Sequence, residues 1–175
     1  MNTPPWYVLT GGPCAGKTTT IDELARRGHP VLAEPARLII DEKLGAGHTI
    51  QEIVGDPVVW LPSVVRRAFE QEQQVPKDEL FFFDRALPDS LAYYKLAQLP
   101  MDDFFREALV LSEYRKVFLL DMIDFKNDEG RSETPEQAMN LHAAIREAYL
   151  EHGYEIVNVP VMPIDERADF ILASL

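Results

Sequence analysis

The sequence predicts a three-layer α/β/α fold with a five-stranded, mostly parallel sheet and a small lid. Three observations predict it. Residues 11–18 read GGPCAGKT, a G-x-x-x-x-G-K-[ST] phosphate-binding loop set between a β-prone run and a helix-period run. Five short apolar runs are spread along the chain, and helical segments lie between them, which is the alternation that builds a parallel sheet. Right-handed crossovers then place helices on both faces of that sheet.

The first strand is read at Trp6-Tyr7-Val8-Leu9-Thr10, apolar and β-prone. The glycine loop follows, and then TTTIDELARR (18–27), with Ile21, Leu24 and Ala25 spaced for one helix face. Further strands are read at Val31-Leu32-Ala33, Leu80-Phe81-Phe82-Phe83, Val117-Phe118-Leu119-Leu120 and Glu155-Ile156-Val157-Asn158-Val159. They are continuous apolar or β-branched runs, as strands covered on both faces require. Residues 43–49 (KLGAGHT) read as a flexible loop. Asp56-Pro57 reads as a helix start, and Pro62 is expected to kink or restart that helix. Thr134-Pro135-Glu136-Gln137 offers an N-cap, a proline in the first helical position and a capping-box glutamine. Ala138, Leu141, Ile145, Ala148 and Tyr149 keep helical period from there until Gly153 ends the segment. A last helix carries Ile164, Ala168, Ile171, Leu172 and Leu175 on one face.

A chain of 175 residues, 46% apolar, suits one compact domain over residues 1–175, with the lid at about 124–134. No apolar run approaches the roughly 20 residues of a membrane helix. The start, MNTPPWYVL, lacks the basic region and apolar core of a signal peptide. The single cysteine, Cys14, excludes a disulfide framework and a zinc-type cluster, so a cytoplasmic, reducing location is expected. The formal charge of −12 argues against broad binding to nucleic acid or anionic membranes. A polyanionic nucleotide must therefore be met by a few local cations: Lys17, Arg85, Arg131 and, among further options, Arg37, Arg66 or Arg67.

The loop chemistry explains its residue types. Backbone N–H groups of Gly11, Gly12, Pro13, Cys14, Ala15, Gly16, Lys17, Thr18 and Thr19, proline excepted, would cradle phosphate oxygens at a helix N-terminus. Lys17 would place a point charge on the outer phosphates, and the Thr18 hydroxyl would ligate Mg²⁺. Cys14 reads either as a small residue that fits the loop or as a thiol activated by nearby N–H groups.

Other positions extend the site. Asp84 ends the run LFFF, where a carboxylate at the carboxyl end of a core strand suits a second Mg²⁺-organising group; the alternative is a helix N-cap. Arg85 stands where hydrolytic motors commonly carry a Glu. A cation there suits an anionic acceptor or the phosphoryl group in transfer, and the alternative is an arginine paired with a neighbouring acid. Glu34 follows the second strand and reads as a base or holder for an attacking hydroxyl, or as a helix cap. Residues 124–131 (DFKNDEGR) read as a lid carrying Arg131, or as a solvated charged loop. His29, His48, His142 and His152 show no metal-ligand spacing, and His142 and His152 read as surface or boundary residues of a helix.

These residues resemble the P-loop kinases of small metabolites. GGPCAGKTTT resembles the loop of the predicted ATPases related to ribosylnicotinamide kinase. DRALPDSLAYY (84–94) resembles the Asp-Arg segment of thymidylate kinases, with Ser90, Ala92 and Tyr93 in matching places. Glu34-Pro35 is similar to the Glu-Pro of thymidylate and deoxynucleoside kinases, and in the latter that Glu is the base for the nucleoside hydroxyl. The chain departs from thymidylate kinases at the flanks, which are Ala33 and Ala36. It carries no Asn-Lys-x-Asp guanine signature, which argues against a regulatory GTPase and favours ATP.

The resemblance implies a P-loop NTPase fold and an Mg²⁺-dependent transfer of phosphate from ATP to a small nucleoside- or nucleotide-like acceptor. Lys17, Glu34, Asp84, Arg85 and Arg131 would be its catalytic residues, and Thr18 and Asp84 its metal partners. The competing expectation is an NTP-binding switch or slow ATPase acting on a protein partner.

Overall fold

A computed structural model describes residues 3–123 and 134–175. The expected lid, including Arg131, falls at 124–133 and lies outside the described residues apart from its boundary at Thr134. Five strands form one sheet: β1 (Trp6–Thr10), β2 (Val31–Leu32), β3 (Phe81–Asp84), β4 (Lys116–Leu120) and β5 (Ile156–Val159). Their order is β2-β3-β1-β4-β5, and every pairing is parallel.

Alternation along the central strands builds two cores. Trp6 and Val8 of β1 face one way, beside Phe83, Val117 and Leu119. They pack on α5 (Leu87–Leu96) and α7 (Pro135–Glu151) through Ala92, Leu141, Ile145 and Tyr149. Tyr7 and Leu9 face the other way with Phe82, Phe118 and Leu120. They meet α1 (Lys17–Arg26) and α8 (Ile164–Ala173) through Ile21, Leu24, Ala168 and Ile171. Each strand side thus buries its own set of side chains, the period-2 signature of a sheet covered on both faces.

A third cluster sits outboard of the sheet. There α4 (Pro57–Glu72) packs on α5 and α6 (Asp103–Leu111) through Leu61, Val65, Leu87, Tyr94 and Phe105. Two helices, α2 (Pro35–Gly45) and the short α3 (Ile50–Val54), lead from β2 into α4.

Two sequence expectations are corrected. Pro62 does not restart the helix, because α4 is one element from its Asp56 cap to Glu72 with the proline inside it. The proline leaves the Val58 carbonyl without its helical donor, but Val58 is 61% exposed, so water can reach that carbonyl. Residues 43–45, expected in a loop, form the last turn of α2, and Thr49 caps α3 through a reciprocal pair of bonds with Glu52. The Thr134 capping box stands as read, with Gln137 N–H donating to Thr134 Oγ1 at 3.2 Å and Thr134 N–H to Gln137 Oε1 at 2.8 Å.

Candidate functional site

In this strand order the chain moves outward from β1 in opposite directions, so a crevice opens at the carboxyl end of β1. The glycine loop occupies that point. It reverses the chain into α1, whose first residue is Lys17. Gly16 holds a left-handed backbone at φ 75°, and a Cβ there would lie 2.5 Å from Arg167 Nη1. Gly12 is needed for a different reason. A Cβ at Gly12 would meet Met122 Sδ at 2.9 Å and His142 Cβ at 3.0 Å, so α7 lies directly against the loop.

Lys17 is buried and donates from Nζ to the Gly12 carbonyl at 2.7 Å. Burial, followed by repulsion from Arg85, lowers its pKa to about 8, against the pull of Asp84, Glu34 and Asp89. Its ammonium is thus held inside the loop near three carboxylates. Thr18, one residue on, is exposed at the mouth of the crevice.

Asp84 ends β3 in register with Leu9 of β1 and is 5% exposed. It is not a helix cap, because α5 begins beyond it at Leu87. Its Oδ1 is buried with no hydrogen-bond partner among the described residues. Burial and the neighbouring Glu34 charge raise its pKa to about 6, opposed by Arg85 and Lys17. An orphaned buried carboxylate oxygen near a loop of this type fits a hard cation. No cluster of three or more His, Cys, Asp or Glu side chains that could hold a metal occurs among the described residues. Mg²⁺ does not need one, since it is usually held by one or two protein oxygens together with water and phosphate.

Arg85 follows in a left-handed conformation, φ 66°, unusual for a residue with a side chain. Its Nε donates to Glu34 Oε1 at 3.1 Å and its Nη1 to Asp89 Oδ1 at 2.9 Å. Burial works against its charge, but Tyr93, Asp89 and Glu34 together hold its pKa above the ordinary value. Glu34 occupies the N-cap position of α2 without making a capping bond, and its carboxylate turns to Arg85 instead. Glu34, Asp84 and Arg85 thus lie at or just beyond adjacent strand ends, and Lys17 at the start of α1 is close enough to feel their charges.

Asp89 was not singled out from the sequence, yet it anchors this corner. It accepts from Thr10 Oγ1 at 2.5 Å, Tyr149 Oη at 2.5 Å and Ala86 N–H at 3.1 Å, besides Arg85. The i, i+4 spacing of Arg85 and Asp89 was the available signal. His142 was also read too blandly. Half-buried, it accepts the Gly12 N–H on Nδ1 at 3.1 Å, so the bond needs the neutral ring, and burial pushes its pKa down.

Two of the further cations read as options for the cleft have other partners. Arg66 stacks over the Phe104 ring at 4.4 Å, Arg67 pairs with Glu42, and Arg37 is exposed. Arg167 of α8 lies beneath the loop instead, 2% exposed, donating from Nη1 to the Ala15 carbonyl at 3.0 Å. Burial lowers its pKa. No sequence pattern pointed to it, because its role depends on how α8 packs against α1.

Glu34, Arg85 and Asp89 also form one end of a cavity of about 220 Å³ between α2, α4 and α5. The rest of its lining is mainly apolar, with Ile40, Val54, Trp60, Leu61, Val64 and Tyr93.

The five-stranded sheet, its strand order and the glycine loop at the switch point define a P-loop NTPase fold. The AAA domain family matches residues 6–167, and the chain belongs to that family. No curated protein matches the chain. Among solved structures, the chain is similar to the NadR protein in complex with NR, at 21% identity and TM-score 0.66, covering 88% of this chain and 45% of that one. It therefore spans about half the length of the NadR chains it matches. It is also similar to thymidylate kinase from Ehrlichia chaffeensis, at 14% identity and TM-score 0.68, with 97% of each chain covered. Deoxyadenosine kinase from M. mycoides matches at 17% identity and TM-score 0.63, again over 97% of each chain. At such identities the likeness is one of fold. No helix among the described residues is long and apolar enough to cross a membrane.

Proposed function

We propose that this chain is an Mg²⁺-dependent phosphotransferase that moves the γ-phosphoryl group of ATP to a hydroxyl of a small nucleoside- or nucleotide-like acceptor. One observation carries the reading: a phosphate loop, an orphaned carboxylate and a partly buried Glu–Arg–Asp cluster meet where a small, mainly apolar cavity opens. A loop and metal ligand alone would serve any nucleotide binder. A second pocket beside them, with a carboxylate at its edge, is what an acceptor requires. The solved kinases that share the fold agree with this reading.

Residues 11–19 would hold the phosphates by backbone N–H groups, with Lys17 on the outer ones. Thr18 and Asp84 would hold Mg²⁺, which would supply positive charge against the charge developing on the phosphates. Glu34 would accept the proton of the acceptor hydroxyl as its oxygen bonds to the γ-phosphorus and the β–γ bridging bond breaks. Arg85 would fix Glu34 in position. The products are ADP, a phosphomonoester and one proton. Residues 1–175 would work as one domain, in the cytoplasm.

The test is ADP formation from Mg·ATP with and without a panel of nucleosides, nucleotides and phosphorylated metabolites. Acceptor-dependent ADP together with a phosphorylated product supports the proposal. ADP formed at one rate whatever is added supports the slow-ATPase alternative.

A further inference from the structure

We infer that His142 is a positioning residue of the nucleotide loop: its neutral ring fixes Gly12, and ATP affinity depends on that hold. The inference rests on the loop reading alone and needs neither the acceptor nor the transfer step.

Gly12 is held at both of its backbone polar groups. Its N–H donates to His142 Nδ1 at 3.1 Å, and its carbonyl accepts from Lys17 Nζ at 2.7 Å. The imidazole and the loop ammonium are thus joined through one residue. That residue has no side chain to brace it. A Cβ there would meet His142 Cβ at 3.0 Å and the Ala138 carbonyl at 3.2 Å, so Ala138 and His142, one turn apart on α7, form the wall on which the loop rests. The wall is itself anchored. Ala138, Ile145 and Tyr149 of α7 are fully buried, and Tyr149 Oη donates to Asp89 Oδ2 at 2.5 Å. A mismatch at His142 must therefore be taken up by the loop.

Accepting on Nδ1 requires an unprotonated nitrogen there, so the proton of the neutral ring sits on Nε2. A protonated ring carries N–H groups on both nitrogens, and the one on Nδ1 would face the Gly12 N–H. Two donors then oppose each other, and the Gly12 N–H loses its acceptor. The ring charge would also attract phosphate. His142 is half-buried, however, so solvent screens that pull, while the two N–H groups oppose each other at contact distance. Burial is the main influence against the proton on His142. Among the described residues, Asp121 just beyond β4 favours it, and Lys17 of α1 and Arg146 of α7 oppose it. His142 also lines an open hollow with Asp121, Met122 and Val161, so water can bring the proton. The bonded form is complete above the ordinary imidazole value of 6.5 and is lost as pH falls below it.

The experiment measures Mg·ATP affinity by calorimetric titration as a function of pH, for wild type, His142→Asn and His142→Phe. Asn offers an acceptor oxygen near the place of Nδ1 and does not titrate, whereas Phe keeps a ring without an acceptor. At about pH 8 the Asn variant should bind within about threefold of wild type, and the Phe variant about tenfold or more weaker. On going down to about pH 5.5, wild type should lose about fivefold or more in affinity beyond the loss seen with the Asn variant, which carries the titration of ATP itself. The comparison of wild type with His142→Asn stands even if the Phe variant does not fold. Parallel pH profiles for those two proteins, or a folded Phe variant that binds like wild type, would overturn the inference while leaving the loop reading intact. A wild type that binds no Mg·ATP at any pH would overturn the loop reading and this inference with it.

Discussion

Arg85 Nε donates to Glu34 Oε1 at 3.1 Å, and that bond ties the carboxyl end of β3 to the carboxyl end of β2. The carboxylate gives up helix capping to make it. Held this way, Glu34 lines one end of the cavity between α2, α4 and α5. Glu34→Gln keeps the size and much of the hydrogen bonding but removes the base. Turnover should fall by about 10²–10⁴-fold while ATP affinity, measured by titration, stays within about threefold. Equal losses in both would show that Glu34 supports the loop and not the acceptor step.

Lys17 illustrates a conflict between stability and binding. Its pKa is lowered from 10.5 to about 8 by burial and by Arg85. A depressed value in the folded state means that its stabilising contribution is present above pH 10.5 and lost as pH falls through about 8. At neutral pH its charge is therefore a net cost to the ligand-free fold. Lys17→Met should raise the ligand-free Tm by a few degrees, roughly 2–4 °C, and weaken Mg·ATP binding by about a hundredfold. Unchanged ATP affinity would contradict the loop assignment.

Arg167 is a buried cation whose described partners are the Ala15 and Met162 carbonyls and the Thr20 hydroxyl. None of them neutralises its charge, and its Nε has no partner among the described residues. Phosphates on the other side of the loop would. Arg167→Met should weaken ATP binding by about tenfold, within the range charge-assisted interactions supply, and shrink the Tm rise produced by ATP. Arg167→Lys should recover part of both. A variant that loses stability while keeping full ATP affinity once folded would make Arg167 a packing residue only.

Glu72 of α4 is 2% exposed and accepts from Ser112 Oγ at 2.6 Å and from the Tyr114 hydroxyl. Burial raises its pKa from 4.5 to about 7, against those two bonds. The folded-state value is raised, so the stabilising contribution is full below pH 4.5 and is lost as pH rises through about 7. Glu72→Gln should flatten the fall in Tm across that window and make the protein more stable above it by about 1–3 kcal/mol. A wild-type Tm that rises steadily from pH 5 to pH 8, unaltered by the substitution, would contradict this assignment.

Much of this was legible in the sequence, for identifiable reasons. Strands buried on both faces read as continuous apolar runs, so all five were found with ends shifted by a residue or so. The loop motif located the crevice, and Glu34, Asp84 and Arg85 followed from their places at strand ends. Pro62 misled because the restart it suggests assumes that the freed Val58 carbonyl is shut away from any substitute donor, whereas Val58 lies on the exposed face of α4. Arg167 and His142 stayed hidden because each reaches the loop from a helix more than a hundred residues further along the chain. Their contacts are set by packing, which no local pattern encodes.

The most direct measurement of phosphate transfer is ADP release from Mg·ATP with and without nucleosides, with the phosphorylated product identified by mass. A phosphotransferase will release ADP in step with one acceptor's phosphomonoester, at a rate cut by Glu34→Gln. ADP released at the same rate with or without every acceptor, and with Glu34→Gln as with wild type, would contradict it.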